Sequence, residues 1–164
     1  VEHIERTVMS YPGVLGVHDL MVHDYGPGHQ FASLHVEFPA ETDPLTAHDV
    51  IDNIENDFLK KDRLQVTIHY DPIVTADASV GVLRARLKEH ARQLDPRLSI
   101  HDLRIVPGDS HTNVLFDLVF PAGYTGDIDQ MLAKMCQFVK EQDPKYCCVV
   151  KVEQSYASAL PDKK

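Results

Sequence analysis

Four absences narrow the reading of this chain. No apolar run approaches the roughly 20 residues that a membrane helix needs. No signal peptide is visible, and the first residue is Val, which points to a piece of a longer or processed protein. No basic run exceeds Lys60–Lys61, and the terminal Lys163–Lys164 pair is too short for a lipid-binding cluster. Cysteine is scarce. Cys136, Cys147 and Cys148 form no CxxC and no even framework, so a disulfide scaffold is excluded and small apolar side chains are the expectation. If Cys147 and Cys148 lie in a strand, they point to opposite faces. HExxH and a nucleophile–base signature are absent too, and the expectation is a non-enzymatic protein.

What is present is acidity, unevenly placed. The 164 residues carry a formal net charge of -9, and 43% are apolar, enough for a core. Residues 1–72 hold 13 Asp and Glu against 4 Lys and Arg, whereas residues 73–164 hold 12 against 12. Seven of the ten histidines (His3, His18, His23, His29, His35, His48 and His69) fall in the first stretch. An acidic, His-rich half repels phosphates and attracts cations, so nucleic acid is not an expected partner.

The same boundary divides an internal repeat. His18-Asp19-Leu20 aligns with His101-Asp102-Leu103, His29 with His111, His35 with Asp117, and Phe38-Pro39 with Phe120-Pro121. Each copy begins with a helical stripe: Ile4 and Val8 in 2–11, stopped by Tyr11-Pro12-Gly13, and Leu83, Leu87, His90 and Leu94 in 79–94, with Ser79 as the expected N-cap. Strands are expected at 14–24 and 31–38, and at 98–106 and 112–120, around turns rich in Gly and Pro. A second helix follows. Asp43-Pro44 starts one with Ala47, Ile51, Ile54 and Phe58 on its stripe; 127–141 carries Ile128, Met131, Met135 and Phe138. Strands at 64–70 and 147–153 close the copies, and residues 72–78 form the joint. The result is an α+β protein, α-β-β-α-β twice, with helices on one face of each sheet.

The chemistry-bearing residues lie off the core face. In 31–38, Ala32, Leu34, Val36 and Phe38 alternate as core, so His35 points away beside Ser33 and Glu37. In 64–70, Leu64, Val66, Ile68 and Tyr70 are core. His69 and Asp71 then share the opposite face about 7 Å apart, provided the strand reaches Asp71. His48 sits in the first turns of a helix. By strict alternation His18 shares a face with Leu20 and Val22, which leaves a hydrogen-bonded core role open. Imidazole nitrogen with carboxylate oxygen suits a borderline divalent cation, with Asp19, Asp49 and Asp52 available to orient the rings.

Val-His-Asp-Leu-Met-Val-His-Asp-Tyr-Gly-Pro-Gly, Leu-His-Val-Glu, Ala-His-Asp-Val-Ile-Asp-Asn-Ile-Glu and Thr-Ile-His-Tyr-Asp-Pro resemble the cytosolic C-terminal domain of cation diffusion facilitators, membrane transporters that export divalent metals in exchange for protons. Residues 73–164 resemble a second, divergent copy found in some bacterial members. The resemblance implies a metallochaperone-like, ferredoxin-type fold on the cytoplasmic side of the membrane, attached to a membrane-spanning transporter domain. It also implies a homodimer with two metal ions near the subunit interface, zinc first, with manganese, iron, cobalt and nickel as alternatives.

The implied ligands are His18, His35, His48, His69 and Asp71. Asp71 would bridge the ions, with His18 and His35 on one and His48 and His69 on the other. In the second copy Asp117, Gln130, Lys151 and Glu153 replace four of these positions. A full two-ion site is not expected there; the copy reads as structural or as an interaction surface, with a weaker mononuclear site from His101, His111, Asp117 and Glu153 as the alternative. The implied role is regulatory, with cytosolic metal controlling dimer closure. A soluble metallochaperone or metal buffer built from the same module is the alternative.

Overall fold

The computed structural model describes residues 1–74 and 77–155; Thr75 and Ala76 of the expected joint and the Lys163–Lys164 pair lie outside that range. The chain divides into two compact units, Val1–Ile73 and Val74–Lys164. Unit 1 contains α1 (Glu2–Met9), β1 (Gly16–Asp24), β2 (Gln30–Pro39), α2 (Pro44–Asp62) and β3 (Leu64–Ile73). Unit 2 contains α3 (Ala78–Leu94), β4 (Ser99–Val106), β5 (Thr112–Phe120), α4 (Ile128–Gln142) and β6 (Tyr146–Gln154). Each is a three-stranded mixed sheet, ordered β1-β2-β3 and β4-β5-β6. The first two strands pair antiparallel, and the third returns parallel to the second after a helical crossover. This is the expected α+β architecture of ferredoxin-like units.

The helix boundaries follow from local chemistry. Asp43 caps α2 by accepting a hydrogen bond from the Thr46 N–H at 3.0 Å, and Pro44 opens its first turn. Its far end turns on Arg63 in the left-handed region, after Lys60 and Lys61 in the last turn, where cations favour the helix dipole. Asp127 caps α4 in the same way through the Gln130 N–H. At α3 the expected cap shifts: Asp77, not Ser79, is the N-cap, and the Ser79 N–H donates to it. The expected joint also starts later, because β3 continues through Asp71 and Pro72 to Ile73.

Each unit has its own core. In unit 1, Ile4 and Val8 of α1 and Ala47, Ile54 and Phe58 of α2 pack on Ala32, Leu34, Val36 and Phe38 of β2 and on Leu64 and Val66 of β3. In unit 2, Val80, Leu83, Leu87 and Ala91 of α3 and Met135 and Val139 of α4 meet Val114, Phe116, Leu118 and Phe120. Burying one such side chain contributes about 1.5–3 kcal/mol. Cys148 packs against this second core, and burial, with a hydrogen bond to Cys136, raises its thiol pKa; a buried thiol of this kind is chemically quiet.

Candidate metal centre

Alternation on β2 sends Ser33, His35 and Glu37 to the sheet face away from the helices. The parallel register then sets His35 beside His69 and Glu37 beside Asp71. Asp71 lies inside β3, which meets the condition the sequence left open.

His18 reaches the same face by a device that alternation does not reveal. It pairs with His35, but the register slips between His18 and Met21, which faces Ser33. One extra residue is accommodated there, and Asp19 takes φ +51° to do it. Asp and Asn tolerate this left-handed region better than other non-glycine residues. The bulge shifts the alternation: Leu20 packs against the core, while His18 turns to the open face. The expected sharing of a face by His18 and Leu20 is therefore corrected.

The donors converge on one carboxylate. His18 Nε2 and His35 Nδ1 each lie 3.0 Å from Asp71 Oδ2, and the three ligand atoms fall within 4.8 Å of one another. His69 Nε2 faces the other oxygen, Asp71 Oδ1, at 3.5 Å. The imidazoles stand in a row, His18 to His35 at 4.8 Å and His35 to His69 at 4.6 Å between ring centroids. Asp71 is 5% exposed, whereas the His69 side chain is 67% exposed.

Asp19 Oδ2 holds the other ring nitrogen of His18 at 3.2 Å, the orienting contact expected of it. Asp49 and Asp52 instead accept from Asn53 and Asn56 along α2. Burial opposes charge on His18, yet its hydrogen bonds to Asp71 and Asp19 raise its pKa overall. Burial likewise works to raise Asp71, but the His18 and His35 hydrogen bonds bring it below the usual carboxylate value. Such a donor set, two nitrogens and a carboxylate within one ion's reach, fits a divalent cation of the borderline class.

Sequence reasoning placed Glu37 on this face but gave it no role. Glu37 is 2% exposed, and its Oε1 lies 3.5 Å from His18 Nε2. A signal was present: His35-Val36-Glu37 and His69-Tyr70-Asp71 repeat one spacing, and the register sets them side by side.

His48 stands elsewhere, exposed on α2 and outside the His18, His35 and Asp71 group. In unit 2 the bulge recurs between His101 and Arg104, with Asp102 at φ +49°, and His101 pairs with Asp117. Of the four residues expected there, His101, Asp117 and Glu153 share neighbouring positions on the sheet, and His111 lies apart. His111 precedes β5 and contacts Ser110, five strand residues beyond which lies Asp117; Glu153 pairs with Lys151 at 3.1 Å. Among the described residues, unit 2 holds no cluster of three ligands.

No helix among the described residues is long and apolar enough to cross a membrane. The comparison with curated proteins gives no match. Residues 1–73 match the family described as cation efflux protein, cytoplasmic domain, and unit 2 repeats the β-β-α-β order beyond that match. By this match, and with a His and Asp cluster on its open sheet face, unit 1 is similar to the cytoplasmic domains of cation efflux proteins.

Proposed function

We propose that the chain is a regulatory metal sensor of a divalent-cation efflux transporter, non-enzymatic, acting on the cytoplasmic side of the membrane. The observation that carries this reading is the two-sided use of Asp71. One oxygen faces His18 and His35, and the other faces His69. A carboxylate so placed suits a bridge between two neighbouring cations. His18 and His35 would serve one and His69 the other. His48, exposed and outside this cluster, would reach the second ion from another copy of the chain, which makes binding depend on dimer closure.

Without cation the cluster is held by imidazole–carboxylate contacts, with the two ring nitrogens of His18 directed at Asp19 and Asp71. Cation binding replaces the His18–Asp71 contact and draws the two copies together. Closure biases an attached membrane dimer only by the difference in cation affinity between the open and closed arrangements.

Calorimetric titration with Zn²⁺ and with Mn²⁺ tests the site, using wild type, His35→Ala and Asp71→Ala. Wild type binds, and each variant loses affinity at least about a hundredfold. Equal binding by all three proteins sinks the proposal. Light scattering with and without metal tests closure, with a metal-dependent dimer as the expected result.

A further inference from the structure

We infer that Glu37 is a fourth, oxygen-donating ligand of the first cation, one that selects for manganese-class ions, and that Gly16 is the position that makes room for it. The inference rests on the reading of unit 1 as a divalent-cation sensor.

Glu37 and Asp71 are register partners on neighbouring strands, on one face, at 2% and 5% exposure. Both carboxylates address the same atom: His18 Nε2 lies 3.0 Å from Asp71 Oδ2 and 3.5 Å from Glu37 Oε1. A tetrahedral ion with bonds of about 2.1 Å has ligand-to-ligand edges of about 3.4 Å. The His18–Glu37 separation is close to that edge; Glu37 lies outside the His18, His35 and Asp71 group and must turn its carboxylate toward them to join the ion.

The space for Glu37 is reserved on the neighbouring strand. Gly16 pairs with Glu37 across β1 and β2, and a Cβ at Gly16 would stand 2.5 Å from Glu37 Oε2 and 3.0 Å from its Cδ. Any side chain there displaces the carboxylate. In unit 2 the same register pairs Ser99 with Val119, so the carboxylate and the glycine disappear together.

The charge argument points the same way. Two buried carboxylates on one face can both be neutralised by one divalent cation. Adding a second oxygen to two imidazoles moves the donor set toward harder ions. Manganese is held by carboxylate oxygen, while zinc keeps much of its affinity through imidazole.

The test uses the full chain with Mn²⁺ and Zn²⁺ as probes, calorimetry for affinity, and water-proton relaxation for the number of waters on bound Mn²⁺. Glu37→Gln is expected to lose Mn²⁺ affinity tenfold or more, to lose several times less for Zn²⁺, and to gain one water on Mn²⁺. Gly16→Ala weakens Mn²⁺ in the same direction. Should Glu37→Gln fail to fold, judged by circular dichroism without metal, Glu37→Asp is read instead and retains the preference for Mn²⁺ at reduced affinity. Wild-type affinities in Glu37→Gln overturn the inference and leave the sensor reading standing. Equal losses for both metals with no added water overturn it too, since they mark a structural role. If wild type binds neither metal, the sensor reading itself falls, and this inference with it.

Discussion

The open sheet faces of the two units share a backbone and differ in chemistry. Both carry a bulge at an Asp with positive φ, after His18 in one and His101 in the other. Both set the central strand's next ligand position opposite that histidine. In unit 1 the neighbouring positions are His35, His69, Glu37 and Asp71; in unit 2 they are Asp117, Lys151, Val119 and Glu153. The buried acids respond in opposite senses. Asp71 sits below the usual carboxylate range because two imidazoles outweigh its burial. Asp117 is raised by burial and by the Glu153 charge, against the pull of Lys151 and Arg104. The bulge and the core therefore carry the fold, and a handful of side chains on the other face make up the candidate cation site. Changing those side chains leaves the fold standing.

The largest test of this contrast is metal protection. At a free concentration about a hundred times Kd, a cation stabilises its binding unit by roughly 2.7 kcal/mol. Hydrogen exchange should then slow in β1, β2 and β3 and stay unchanged in β4, β5 and β6. Asp71→Ala abolishes the protection, whereas Asp117→Ala leaves it intact. Comparable protection in both sheets would erase the distinction drawn between the units.

A smaller effect concerns the acids without metal. Asp117 Oδ1 is buried with no hydrogen-bond partner, and the residue is 6% exposed. Its folded pKa lies above the unfolded value, so its contribution to stability is fully present below the unfolded pKa, about 3.9, and is lost as pH rises through the folded one. Asp117→Asn removes that loss. The variant should gain about 1 kcal/mol near neutral pH, and the gain should fade as the solution is acidified. Asp71→Asn without metal should go the other way at neutral pH, because two imidazole hydrogen bonds end on that carboxylate. Denaturant melts across the pH range check both signs.

Much of this contrast was legible in the residues. Period-2 alternation placed His35, His69 and Asp71 off the core face, and the Asp-Pro start of α2 announced its cap. The bulge was not legible. Its positive-φ position holds Asp rather than Gly, so the alternation of His18, Leu20 and Val22 read as an unbroken strand. Glu37 passed as one acid among thirteen in residues 1–72, because its meaning depends on the pairing with Asp71 and on the missing side chain at Gly16. Pairing across strands is a non-local fact, and spacing along one strand does not encode it. The dispersal of His111 from Asp117 has the same origin: the two are near in sequence, yet the intervening strand carries them apart.

The smallest effect lies away from the cation face and still separates the units. The Tyr11 hydroxyl donates to Asp57 Oδ2 at 2.6 Å, tying the end of α1 to α2. Counting back equally from His18 and His101, Leu94 occupies the matching position in unit 2 and offers no hydroxyl. Burial, with the Asp57 hydrogen bond and charge, pushes the Tyr11 phenol up to about 12. The raised value favours the protonated, folded form. Its contribution is fully present below the unfolded tyrosine value of about 10 and is lost as pH rises through the folded one. Tyr11→Phe keeps the ring's packing and removes the hydrogen bond, for an expected loss of about 1 kcal/mol at neutral pH. It also removes the alkaline fall in stability that this phenol causes. Exchange of the α1 amides reads the effect where it arises, and α3 amides, next to Leu94, should not move. An alkaline fall of equal size in Tyr11→Phe would show that another group causes it, and the contrast between Tyr11 and Leu94 would carry no weight.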